Sequence, residues 1–127
     1  MGGVIMGLDE PVYRDHRGEI QRHSLGGVKF NALSTKAGVL RSGDYHPNTQ
    51  YDIILSGEME ITLRQDDKDV IIRKGPNDFI FIPPNVPHLF RALTDTVMIE
   101  WWDGEFECKY YKPYRDLIDE QAKQDKK

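Results

Sequence analysis

Arg41-Ser42-Gly43-Asp44-Tyr45-His46-Pro47-Asn48-Thr49-Gln50-Tyr51-Asp52-Ile53-Ile54-Leu55-Ser56-Gly57 sets side chains of ligand type between two glycines and then runs into an apolar strand. Further along, Ile80-Phe81-Ile82-Pro83-Pro84-Asn85-Val86-Pro87-His88 supplies a second strand, a proline-stiffened turn and another histidine. A strand delivers alternate side chains to opposite faces, so Asp44 and His46, two residues apart, share one side. Two imidazoles with one carboxylate are a donor set for iron(II), and also suit zinc, manganese or nickel. Asp44, His46, Gln50 and His88 are therefore expected to converge on one pocket.

The flanking chain reads as short strands and turns. Tyr13-Arg14-Asp15-His16-Arg17-Gly18 makes a charged turn, and the alternating Ile20 to Leu25 segment reaches Gly26-Gly27, a hairpin signal. Val28 to Thr35 alternates again. In Met59-Glu60-Ile61-Thr62-Leu63-Arg64 the apolar residues share one face, so that strand is half buried. Gln65 to Asp69 is read as a polar loop, and Lys74-Gly75-Pro76-Asn77-Asp78 is dense in turn formers. Thr96 to Trp102 closes the series, with Trp101 and Trp102 on opposite faces; Glu100, on the face of Trp102, is assigned to solvent, with an inward extra carboxylate as the alternative. About eight to ten short strands at this spacing predict an all-β sandwich or barrel. Helix is expected only near the end, where Pro113 opens a segment carrying Leu117 and Ile118. The chain is expected to be a single domain over 1–127, with an N-terminal arm over 1–12 and a C-terminal helix and tail over 113–127.

Composition narrows the functional classes. The chain has 127 residues, 30% of them charged, and a net charge of −4. Nucleic-acid binding calls for clustered Lys and Arg, which this acidic balance lacks. No apolar run approaches the ~20 residues that span a bilayer, and the start lacks a signal-peptide pattern, so no membrane role and a cytoplasmic location are expected. The single Cys108 excludes an internal disulfide. A small-molecule ligand is the remaining partner, and the aromatic tail Phe106 to Tyr111 is a candidate contact for a homodimer.

Gly43, Asp44, His46, Gln50 and Gly57 resemble the first motif of the cupin superfamily, a glycine followed by His-x-His, a Glu and a closing Gly. Gly75, Asp78, Pro83 and His88 are similar to its second motif, with Asn85 at a glycine position that Asn also tolerates. The resemblance implies a double-stranded β-helix, or jelly-roll, barrel with the site in its mouth. Asp44 stands where the pattern has its first His and Gln50 where it has Glu. The family pattern holds a divalent metal on three His and one Glu. Here the corresponding set is Asp44, His46, Gln50 and His88, with Fe, Mn, Ni or Zn as the implied ion.

Within the superfamily, Asp15-His16-Arg17-Gly18 and the run Ser34 to His46 resemble cupins acting on nucleotide-linked sugars, the epimerases and ketoisomerases. That likeness implies an isomerase working by proton transfer, with His46, Asp44 and His88 as catalytic residues. Arg41, Gln50, Arg91 and Tyr51 are the candidate substrate contacts, the two arginines as grips for a phosphate or carboxylate. The alternatives are a metal-dependent cupin, a dioxygenase or lyase, and a non-catalytic ligand-binding cupin.

Overall fold

The computed structural model describes residues 12–125. Nearly all of the N-terminal arm expected over 1–12, and the last residues 126–127 of the tail, lie outside that range. The strands are β1 (Val12–Asp15), β2 (Gly18–Leu25), β3 (Val28–Thr35), β4 (Leu40–Tyr45), β5 (Gln50–Ser56) and β6 (Met59–Gln65). They continue as β7 (Lys68–Lys74), β8 (Phe79–Ile82), β9 (His88–Ala92), β10 (Thr96–Trp102) and β11 (Lys109–Tyr110), and the chain closes on helix α1 (Lys112–Asp125). One sheet has the order β1-β2-β3-β10-β5-β8 and the other β11-β4-β9-β6-β7. Every pairing is antiparallel, and the two sheets form the expected jelly-roll barrel.

Turn chemistry accounts for the connections. Gly26 and Gly27 have φ of 59° and 80°, the pair of left-handed residues that a tight hairpin needs. Asp66 and Asp67, with φ of 52° and 60°, do the same between β6 and β7, so the expected five-residue polar loop shrinks to two residues. At the β1–β2 turn, Asp15 Oδ1 accepts the Arg17 backbone N–H at 2.9 Å and Oδ2 accepts Arg17 Nε at 2.9 Å. The Asp15 to Gly18 segment therefore has a structural role in this turn.

Apolar alternation fills the space between the sheets. Ile54, Met59 and Ile61 are fully buried, and Leu33, Leu63, Ile80, Ile82, Phe90, Ala92 and Met98 pack with them. Helix α1 lies outside the barrel, where Tyr114 and Ile118 bury against Leu89. Gly43 is what lets it approach, because a Cβ there would stand 2.9 Å from Ile118 Cδ1 and 3.2 Å from the Arg115 backbone.

The same stretch carries the feature that aims the site. In the β4–β9 pairing His88 faces Asp44 while Leu89 faces Ser42, so Gly43 is an extra residue, a bulge. Ser42 and Gly43 take φ of 80° and 69° there. Arg41, before the bulge, is buried inside the barrel. The added residue resets the alternation, and Asp44 and His46 also turn inward.

Candidate metal centre in the barrel mouth

His46 and His88 are each oriented by a backbone carbonyl. His46 Nδ1 lies 2.8 Å from the Glu107 carbonyl oxygen and His88 Nδ1 lies 3.0 Å from that of Val86. A carbonyl only accepts, so both Nδ1 atoms carry the proton and both Nε2 atoms offer a lone pair. Asp44 Oδ1 sits 3.4 Å from His46 Nε2 and 3.3 Å from His88 Nε2. The ligand atoms of the three residues lie within 4.8 Å of one another. Asn85, with φ of 63°, donates its backbone N–H to the His46 carbonyl at 2.6 Å and so ties the two sequence motifs together.

The pKa values of the two imidazoles are shifted in opposite directions. Burial works against a charged His46, but the Asp44 carboxylate and the Glu107 carbonyl outweigh it and raise its pKa above the usual 6.5. His88 is fully buried, and desolvation outweighs the pull of Asp44, so its pKa is lowered. His88 is therefore the more readily neutral ligand of the two, and His46 holds a second proton more tightly.

Behind the triad lies a polar interior that the sequence reading did not assemble. Gln50, 1% exposed, donates through Nε2 to Asp52 Oδ2 at 3.0 Å, which leaves its Oε1 without a partner. Asp52 is fully buried and pairs in register with Glu100 across β5 and β10. Burial first, and the neighbouring carboxylate second, hold the Asp52 carboxyl well above its ordinary range. Glu100 is raised chiefly by burial as well, and accepts a hydrogen bond from Asn31 Nδ2 at 3.0 Å. The expectation that Glu100 faces solvent is corrected: it shares the inward face of β10 with Met98 and Trp102. Alternation from Gln50 could have pointed to Asp52; Asn31 carried no comparable signal.

The segment after β10 straps the mouth. Thr49 N–H donates to Asp103 Oδ1 at 3.1 Å and Asn48 Nδ2 to the Glu105 carbonyl at 2.7 Å. Gly104 leaves room for Asn48, whose amide would be 2.6 Å from an added Cβ. Held in this way, the strap offers the Glu107 carbonyl to His46 and sets Phe106 5.4 Å from the His46 ring and 4.7 Å from that of Trp102. Phe106 of the aromatic tail thus touches its own barrel, while it and Tyr110 remain 57% and 62% exposed.

Asp44, His46 and His88 are brought together and Gln50 faces the same interior, but the other substrate candidates are not gathered with them. Arg41 is buried, with Nε donating to Thr35 Oγ1 at 2.7 Å and a terminal nitrogen to the Ser34 carbonyl at 3.2 Å. Arg91 lies on the outer face of β9, between inward Phe90 and Ala92, and pairs with Glu60 at 3.2 Å. Tyr51 also points outward, stacked on Trp101 with ring centroids 5.6 Å apart.

Residues 37–102, just over half of the chain, match the family model described as the cupin domain. The chain is a cupin. No curated protein matches its sequence. Among solved structures it is similar to a deletion mutant of Bacillus subtilis oxalate decarboxylase, with a TM-score of 0.70 and 15% identity over 78% of this chain and 29% of that one. It is also similar to CapF, solved with the inhibitor 3-isopropenyl-tropolone, with a TM-score of 0.65 and 20% identity over 78% of this chain and 33% of that one. A third match, TM-score 0.65 and 17% identity over 76% of this chain and 28% of that one, is a Bacillus subtilis oxalate decarboxylase structure from work assigning the EPR fine-structure parameters of its Mn(II) centres. This cupin spans about a third or less of the length of those chains. At such identities the likeness speaks for the fold.

The donor set fits a metal. Asp44 Oδ1 and His88 Nε2 are buried acceptors with no hydrogen-bond partner among the described residues, as is Gln50 Oε1 in the same interior, and a cation held by the triad fits that set.

Proposed function

We propose that this cupin binds one divalent transition metal ion through His46, His88 and Asp44, with the Gln50 amide oxygen as a weaker neutral donor, and acts with it on a small polar molecule in the barrel mouth. The observation that carries the proposal is the pair of Nε2 atoms 3.4 and 3.3 Å from one carboxylate oxygen, each ring fixed from behind by a carbonyl. Carbonyl partners of this kind are the usual supports of metal-bound histidine. A bound ion would supply Lewis-acid polarisation of a ligand oxygen, the chemistry of a lyase or dioxygenase. The protein's own part is to present the ligand atoms, shield them with Phe106 and Trp102, and keep carboxyl groups at Asp52 and Glu100 close behind.

Proton competition makes the proposal measurable. Metal binding requires neutral imidazoles. His46 has its pKa raised above 6.5, so affinity is full above that raised value and falls about tenfold per unit as the pH drops through it. His88 is lowered, so its further tenfold per unit begins only below 6.5. Titrations with Mn(II) or Zn(II) from about pH 8 to 5 should give one equivalent and two separated proton steps. Absence of uptake at any pH sinks the metal reading, and a single two-proton step sinks the assignment of distinct histidines.

A second reading keeps the same groups without an ion. His46 beside Asp44 has its protonated form favoured and can act as a general acid, the pairing that sugar or nucleotide-linked sugar isomerases of this fold class would use. Such a ligand needs a basic rim for its phosphates, which Arg91 on the outer face does not supply, so the metal reading is preferred. The reading also includes a homodimer. The outward residues of β10, β5 and β8 include Trp101, Tyr51, Leu55, Phe79 and Phe81 and no charge, with Phe79 66% and Phe81 60% exposed. We assign this face to a second copy of the chain, and a single-chain mass in sedimentation would remove that assignment.

A further inference from the structure

Trp102 carries the one buried polar atom near the triad that a cation does not explain. Its indole Nε1 is buried and has no hydrogen-bond partner among the described residues, as is also true of Asp44 Oδ1, Gln50 Oε1 and His88 Nε2. Those three offer lone pairs. Nε1 is only a donor, so it requires an acceptor and is repelled by a metal. Trp102 stands on the inward face of β10, in register with Gln50, and its ring meets His46 edge-on with centroids 5.3 Å apart. The pocket therefore combines acceptors for a cation with one donor for something else.

Charge decides what that something is. A divalent ion on Asp44 and two neutral imidazoles leaves a local charge of about +1 on that group. An anion neutralises that charge, and hydrogen bonds to ionised acceptors are about twice as strong as neutral ones. Size is limited on the same side by Phe106, packed 4.7 Å from Trp102 and 5.4 Å from His46. We infer that Trp102 is a ligand-binding residue of this pocket, donating its indole N–H to an oxygen of a small carboxylate anion. The inference rests on the metal reading, because without a cation the Asp44 carboxylate would repel such a ligand.

The chain has two tryptophans, and Trp101 faces outward on Tyr51, so the two indole N–H resonances of ¹⁵N-labelled protein separate site from surface. The Zn(II)-loaded protein is titrated with formate and, separately, with neutral acetamide. Formate should move the Trp102 resonance saturably and leave that of Trp101 in place; acetamide should move neither. Trp102→Phe, which assigns the signal and keeps a ring in the same space, should retain Zn(II) affinity within about twofold and bind formate about 10- to 100-fold more weakly. A Trp102 resonance that ignores formate overturns the inference, as does a phenylalanine variant that binds formate like the wild type. Equal binding of acetamide overturns the ligand class. Should the variant not fold, the wild-type titration decides alone. Failure of the wild type to take up Zn(II) is a separate outcome, seen before any formate is added, and it removes the metal reading together with this one.

Discussion

Replacing His46 and His88 together by Ala should abolish stoichiometric metal binding, with each single change weakening it by about 100-fold or more. Even partners that merely orient a metal-bound histidine are worth 10- to 100-fold, and here the rings themselves are removed from a set with only one charged member, Asp44. Asp44→Asn should weaken binding comparably, because the lost charge leaves only neutral donors. Isothermal titration with Mn(II) and Zn(II), alongside circular dichroism to confirm folding, reads the effect. His88 is fully buried, so its alanine variant also opens a space beside Phe90, whose ring centroid is 5.9 Å away. His88→Gln fills more of that space and keeps the loss of affinity interpretable. Undiminished uptake by the folded double variant would place the metal elsewhere.

Phe90→Ala should cost about 3–5 kcal/mol of stability, the range for deleting a buried aromatic ring. Phe90 is 1% exposed, lies between Arg41 and Ile61 in the β4–β9–β6 register, and belongs to the main core cluster. For a domain of this size that corresponds to a drop in Tm of about 10 to 20 °C. A ligand that binds only the native state returns part of the loss, about 2.7 kcal/mol at a hundredfold excess over Kd. Saturating Mn(II) should therefore raise the Tm of the variant, and should not do so once His46 and His88 are also replaced. A loss below about 1 kcal/mol would mean that the barrel interior is not packed around Phe90.

The architecture was legible because its two signals are local. Alternation in Met59 to Leu63 and the glycine-bounded motif from Gly43 to Gly57 each fix a strand and its neighbours, and the motif spacing placed His46 and His88 in one pocket. Parity also separated Trp102 from Trp101. What parity does not say is which face is inside, and Glu100 was sent to solvent on its charge although Met98 and Trp102 share its face. Arg91 and Tyr51 were nominated for being near the motifs, yet each alternates with buried neighbours and so turns outward. The carbonyl that orients His46 comes from Glu107, 61 residues away, through a strap whose course no periodicity records. The bulge at Ser42 and Gly43 shows in the glycine, but its consequence, an inward Asp44, depends on the register with β9.

The central claim is that one ion sits on both histidines and Asp44. Anomalous diffraction from crystals of the Zn(II)-loaded protein tests it most directly. The account predicts a single strong peak about 2.0–2.2 Å from Nε2 of His46, Nε2 of His88 and a carboxylate oxygen of Asp44. A peak bound to neither histidine, or none in the barrel at saturating metal, would contradict it.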